Sequence, residues 1–150
     1  MLLAEAIREK DYIKESIDSL EGYIQSLIVV QDKTEFKTNK TLIEGRLDEL
    51  KDLYKKFQQF SVTIARAKAK ASIKVNDTKL SLLDAVAVRS AMDLKLASFE
   101  RILSSSVTKF SSGVLCIDTD EVFKEIENIK VDIKTLDSGI EYAYWDVEVS

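Results

Sequence analysis

Apolar residues recur at helical spacing in four long stretches of the chain, and no proline interrupts any of its 150 residues. The cleanest repeat lies near the C-terminus, where apolar positions step by four and three residues along one helix face: Val122, Ile126, Ile129, Ile133, Leu136 and Ile140. We call such a line of apolar residues on one helix face a seam, and each seam must be buried against another helix. The pattern therefore predicts an all-α, or nearly all-α, fold with coiled-coil-like packing at crossing angles of about 20°.

The first half of the chain predicts a long antiparallel helical hairpin. Helix one is expected from about Leu2 to Gln31, and helix two from about Thr41 to Ala69. Asp32 to Lys40 is polar and predicts the turn, and Thr41-x-x-Glu44 resembles a capping box at the start of helix two. The helix-one seam is Ile13, Ile17, Leu20, Ile24 and Leu27, and the helix-two seam is Ile43, Leu47, Leu50, Tyr54, Phe57, Ile64 and Lys68.

The second half predicts two further helices. Helix three is expected from about Leu82 to Ser105 with Ser81 as its N-cap. Helix four is expected to follow Asp118, with Asp118-x-x-Glu121 as its start, and to run to about Tyr144. Helix three has two apolar faces, which predicts that it is buried on both sides. One face consists of Leu82, Val86, Met92, Leu96, Phe99 and Leu103, and the other of Leu83, Ala87, Ala91, Leu94 and Ala97.

Two connecting segments have an extended pattern. Ser72 to Val75 alternates polar and β-branched residues, and Phe110 to Ile117 is similar in character. They either pair as a small β-hairpin or serve as extended connectors.

Cys116, the single cysteine, lies in an apolar run and is expected to be a small buried hydrophobe rather than a reactive thiol.

Length and composition favour a single helical domain over residues 1–150, divided into a hairpin at 1–70 and two further helices at 71–150. Charge is unevenly distributed. Residues 61–82 contain five cations against one acid, a net of +4, whereas residues 114–150 contain ten acids against three lysines, a net of −7. Opposite blocks of this kind can attract within one fold or between subunits.

Neither a secretory signal nor a transmembrane helix is expected. Met1 to Ala6 is followed at once by charged residues, and no window approaches 18 uncharged apolar residues. We therefore expect a cytoplasmic location.

The sequence carries little catalytic chemistry. There is no histidine, so zinc and iron sites are not expected, and Asp118, Asp120 and Glu121 fit helix N-terminal acids better than an EF-hand loop. No glycine-rich nucleotide motif is present, and the serines near residues 104–112 lack a base. We expect no enzymatic activity, no cofactor and no metal.

Two clusters are candidates for binding. The basic segment containing Arg66, Lys68, Lys70 and Lys74 can contact an anionic membrane surface or, less favourably, nucleic acid. The alternative is a solvated helix C-terminus, where cations complement the helix dipole. The aromatic cluster of Tyr142, Tyr144 and Trp145 either caps the core at the end of helix four or anchors an oligomer contact.

Three short motifs resemble the septicolysin-like family of small bacterial helical proteins: Leu3-Ala4-Glu5-Ala6, Leu80 to Arg89, and Ile140 to Trp145. Family members often have Asn-Trp-Thr near the end, where this chain has Tyr144-Trp145-Asp146. The resemblance covers nearly the whole chain. It implies a helical, non-enzymatic fold and, by the family name, membrane-active pore formation.

The preferred hypothesis is a structural or interaction protein that works through helical surfaces and forms a homo-oligomer. Four seams and the second face of helix three exceed what one isolated bundle needs. Self-association is therefore expected through helices three and four or through the hairpin tip. A membrane-active protein is the alternative, acting through amphipathic faces exposed in an oligomer.

Overall fold

The computed structural model describes residues 1–109 and 113–150. Within that part of the chain, four helices and one small antiparallel β-hairpin confirm the predicted nearly all-α fold. The elements are helices α1 (Leu3–Leu27), α2 (Phe36–Lys70), α3 (Leu82–Lys109) and α4 (Thr119–Asp146), strands β1 (Ser72–Val75) and β2 (Thr78–Ser81), and a 3₁₀ turn at Lys33–Glu35. None of the helices described is both long enough and apolar enough to cross a membrane.

The described chain divides into two compact units. The first unit comprises Met1–Ala67 together with Val147–Ser150, and the second comprises Lys68–Asp146. The division falls close to the subdivision expected at residues 70 and 71. The single domain predicted for the whole chain stays a prediction.

The first unit is built on an antiparallel pair of helices. The Lys10 ammonium lies 5.6 Å from the centre of the Phe57 ring, near the start of α1 and late in α2. Towards the other end of the pair, the Arg46 guanidinium lies 5.7 Å from the centre of the Tyr23 ring. These contacts join early α1 to late α2 and late α1 to early α2, which is the predicted helical hairpin.

The two chain ends meet in the first unit. The Leu3 N–H donates to the Val147 carbonyl at 2.8 Å, and the Val149 N–H donates to the Met1 carbonyl at 3.0 Å. The Glu5 carboxylate accepts from the Leu2 N–H at 2.8 Å and closes the first turn of α1. The C-terminal segment therefore pairs the Leu3 N–H, a donor that the start of α1 itself leaves unpaired.

The second unit packs α3 along α4, with the β-hairpin against both helices. Arg89 Nε donates to Asp137 Oδ1 at 2.6 Å, and Lys95 Nζ lies 3.2 Å from Glu125 Oε1, so the two helices run antiparallel. A Cβ atom on Gly139 would lie 3.4 Å from Ile73 Cδ1, so the hairpin approaches α4 closely at this glycine. The buried apolar residues of this unit include Ile73, Leu82, Ala85, Ile126, Ile129, Leu136 and Ile140.

The predicted N-caps of α3 and α4 are confirmed. Ser81 Oγ accepts from the Asp84 N–H at 3.0 Å, and Asp118 Oδ1 accepts from the Asp120 and Glu121 N–H groups at 3.0 and 3.3 Å. Each side chain satisfies backbone donors that a helix start leaves free.

The turn that joins α1 and α2 in the helical hairpin was predicted with the wrong bounds at both ends. Helix α1 ends at Leu27, where Asn39 Nδ2 donates to the Leu27 carbonyl at 3.2 Å, rather than at Gln31. Helix α2 begins at Phe36 rather than Thr41, after a 3₁₀ turn that Asp32 caps. The capping box expected at Thr41 is therefore wrong, because Thr41 lies inside the helix and donates its hydroxyl to the Lys37 carbonyl.

The strand prediction for Ser72–Val75 is confirmed, and its partner is a strand that was not predicted from the sequence. It pairs with Thr78–Ser81, in the register Ile73 opposite Leu80. Asn76 and Asp77 form the connecting turn with φ of 48° and 64°, a left-handed conformation that Asn and Asp tolerate better than other side chains. The alternative segment falls partly at residues 110–112, outside the described residues, and residues 113–117 form no strand.

Three further expectations need correction. Cys116 is exposed rather than buried, because residues 113–118 form a connector that enters neither a helix nor a strand. Helix α3 continues to Lys109 and helix α4 to Asp146, beyond their expected ends. The second apolar face of α3 is not covered as expected, since Leu83 and Leu94 are exposed.

Candidate functional site

The basic segment spans the end of α2 and the β-hairpin. Lys68 and Lys70 occupy the last turn of α2, where their charge complements the helix dipole. Lys74 follows on β1 and lies 3.6 Å from the Asp77 carboxylate, with both side chains largely exposed. These three lysines belong to the second unit, whereas Arg66 is an exposed residue of α2 in the first unit.

Lys68 connects the basic segment to the aromatic cluster. Its ammonium lies 5.3 Å from the centre of the Tyr144 ring in α4, within the range of a cation–π contact. Both residues are half-buried. The structure thus brings together two clusters that are far apart in the sequence, and it assigns Lys68 to a contact within the chain.

The outer face of the β-hairpin carries two lysines on neighbouring strands. Lys74 lies directly opposite Lys79 in the antiparallel register, and both side chains are exposed. Like charges directly opposite each other on one face of a strand pair repel. Asp77, at the turn, is the acid that Lys74 meets. In the sequence analysis Lys79 is one of the five cations of residues 61–82, but it is not included in the candidate basic segment.

The aromatic cluster is split between the core and the surface. Ala143 is buried, Tyr144 is half-buried, and Tyr142 and Trp145 are 73% and 46% exposed. Tyr144 therefore fits the role of capping the core. The exposure of Tyr142 and Trp145 fits the interpretation as contact residues better, because large aromatic side chains gain most when a partner covers them.

An open groove of about 530 Å³ lies between α3 and the connector that follows it. Its lining includes Ser98, Ile102, Leu115 and Cys116. The chain contains no histidine that could deprotonate the exposed thiol. Among the described residues, no group of three or more Asp, Glu or Cys side chains could hold a metal ion. The geometry of the groove and the residues around it point to no particular reaction.

The second apolar face that the sequence predicted for α3 lies on the outside of the helix, and we define this outer face as Leu83, Ala87, Ser90, Ala91, Leu94 and Ser98. All six side chains are exposed and none is charged. The pattern had suggested a second apolar face, but it could not show that this face remains uncovered within one chain. Only the packing of α3 on α4 through its opposite side exposes it.

A structural comparison finds the same fold in another protein. The crystal structure of a conserved protein of unknown function from Corynebacterium diphtheriae matches with a TM-score of 0.81 and 19% sequence identity, covering 100% of this chain and 99% of that one. At this identity the likeness establishes the fold alone. No protein-family model and no curated protein matches the chain. The septicolysin-like resemblance stays a prediction.

Proposed function

We propose that this chain is a non-enzymatic helical interaction protein that acts by self-association. The supporting observation concerns residues 25–63, all of which the structure describes and none of which is buried. This stretch covers the end of α1, the turn and most of α2. A helical segment of this length that buries no side chain draws little stability from packing within its own chain.

The same stretch exposes large apolar side chains. Val29 is 80% exposed at the turn, and Ile28, Phe36 and Leu42 are also exposed. A cavity of about 170 Å³ lies at this tip, and its lining combines apolar residues, including Leu27, Phe36 and Ile43, with the polar residues Asn39, Lys40 and Glu44. Exposed apolar surface of this kind on helices is typical of proteins that complete their packing in an assembly.

The second unit supports the same proposal independently. Leu94 on α3 and Val131 on α4 are 73% and 63% exposed. Apolar surface is thus left uncovered in both units, which is what a homo-oligomer of helical proteins would bury.

Sedimentation velocity over a protein concentration from about 1 to about 100 µM tests this proposal, since transient helical interfaces fall in this affinity range. We expect the sedimentation coefficient to rise with concentration towards that of a dimer or larger assembly. A monomer at every concentration would contradict the proposal. Circular dichroism on the same samples shows whether helix content rises as the chains associate.

A further inference from the structure

The outer face of α3 has a charge pattern that is self-complementary. Leu83, Ala87, Ala91 and Leu94 follow one another at spacings of four, four and three residues and therefore lie on one side of the helix. Between Leu83 and Ser98 this face carries no charged residue, although 32% of the chain is charged, and Arg101 lies on the same side one turn further along the helix. A solvent-facing helix surface ordinarily carries many of a protein's charges, so this face is unusual for one that stays in water.

One flank of the outer face carries two opposite charges. Asp84 and Lys95 are eleven residues apart, which is close to three full turns of an α-helix, so they lie on the same flank. Among the described residues Asp84 has no ion-pair partner. Lys95 is 3.2 Å from Glu125 but its side chain is 54% exposed, and an ammonium has donors for a second carboxylate.

We propose that two copies of the chain pair through this face, with their α3 helices antiparallel. This deepens the proposed self-association and rests on it. In this register Leu83 of one copy meets Leu94 of the other, and Ala87 of one copy meets Ala91 of the other. The small alanine side chains let the two backbones approach closely at the centre of the contact.

The flanking charges select the antiparallel arrangement. A twofold axis perpendicular to both helices keeps each flank on its own side, so Asp84 of each copy faces Lys95 of the other. The twofold axis of a parallel pair would run along the helices and put this flank of the two copies on opposite sides of the contact, so neither Asp84–Lys95 pair could form. The paired segment is about 18 Å long at 1.5 Å per residue. An interface of this size is small, so a Kd in the micromolar range or weaker is expected.

Charge reversal at the flank tests this interface. The variants Asp84→Lys and Lys95→Glu each create two like-charge pairs in a homodimer, and each is expected to self-associate about tenfold more weakly than the unmodified chain at low salt. An equal mixture of the two variants restores both ion pairs. The mixture should therefore associate as tightly as the unmodified chain, as a heterodimer. Asp132→Lys and Lys124→Glu are matched controls, since they make the same charge changes at exposed positions of α4.

Disulfide trapping tests the register by a second route. In a Cys116→Ser background, Leu83→Cys mixed with Leu94→Cys should give a cross-linked heterodimer, and neither variant alone should cross-link efficiently. Circular dichroism of each variant checks that the helices are intact. If the unmodified chain associates but neither the charge variants nor the trapping behaves as expected, this interface is wrong while the proposed self-association stands. If the unmodified chain is a monomer throughout, both proposals fail.

Discussion

The helical hairpin of the first unit buries the early part of its seam, at Ile13, Ile17 and Ile24 of α1, but its distal part differs from the helix pair of the second unit, although both carry apolar seams of the same spacing. No side chain is buried within residues 25–63, whereas Ile126, Ile129 and Leu136 of α4 are only 2–3% exposed. In the second unit the β-hairpin adds a third element to the helix pair. Heptad spacing thus determines which face is apolar, but the number of elements packed on it determines how far it is buried.

Core truncation should give the largest difference between the two regions. Leu136→Ala is expected to lower the free energy of unfolding by about 2–5 kcal/mol, because it leaves a cavity at a residue 2% exposed. Leu47→Ala, in the hairpin at 40% exposure, should cost less than about 1 kcal/mol. Urea denaturation of each variant at low protein concentration measures both values. Equal losses would show that the hairpin is packed as tightly as the second unit.

The same glycine substitution should have opposite effects in the two regions. Gly139→Leu is expected to lower the free energy of unfolding by about 1–3 kcal/mol, because the new side chain collides with Ile73 of the β-hairpin. A Cβ atom on Gly45 would have no neighbouring atom within 4 Å. Gly45→Leu should therefore raise the free energy of unfolding by about 0.5–1 kcal/mol, because leucine has the higher helix propensity. Thermal unfolding followed by circular dichroism compares the two variants. Destabilisation by both would contradict the open surroundings of Gly45.

Ion pairs sharpen the comparison further. The carboxylates of Asp137 and Asp93 hold the pKa of Arg89 above its ordinary value, and the Arg89 side chain is largely covered. Arg89→Ala is expected to lower the free energy of unfolding by about 1 kcal/mol, a modest loss because both acids are exposed and solvent screens their charge. The Lys14–Asp18 pair of α1 is more exposed, and Lys14→Ala should cause no measurable loss. Denaturation in low and high salt measures both, and a salt-sensitive loss for Lys14→Ala would contradict the prediction.

The smallest expected effect is at the hairpin turn. The Thr34 N–H donates to the Asp32 carboxylate at 3.0 Å and lowers the pKa of Asp32. A lowered pKa in the folded state contributes stability that is present above the unfolded pKa. That contribution is lost as the pH falls through the folded value. NMR titration of the Asp32 carboxyl should give a pKa below that of an unstructured peptide, and an unshifted value would show that the cap is not formed.

The sequence by itself determined the class of fold and the start of two helices. Uninterrupted seams at helical spacing leave few alternatives to packed helices, and the side chains of Ser81 and Asp118 can cap a helix wherever it lies. The helical hairpin could also be predicted from the sequence, because two long apolar seams joined by a short polar connection favour antiparallel neighbouring helices. These features depend on residues within the same segment of the chain, so they can be predicted without knowing what the segment packs against.

Tertiary structure decided the rest. The end of α1 depends on Asn39, twelve residues away. The contact of Lys68 with Tyr144 joins residues from opposite ends of the second unit. The exposure of Leu94 likewise follows from which side of α3 faces α4. Each of these features arises from a pairing between distant residues, and apolar spacing identifies a face without identifying what covers it.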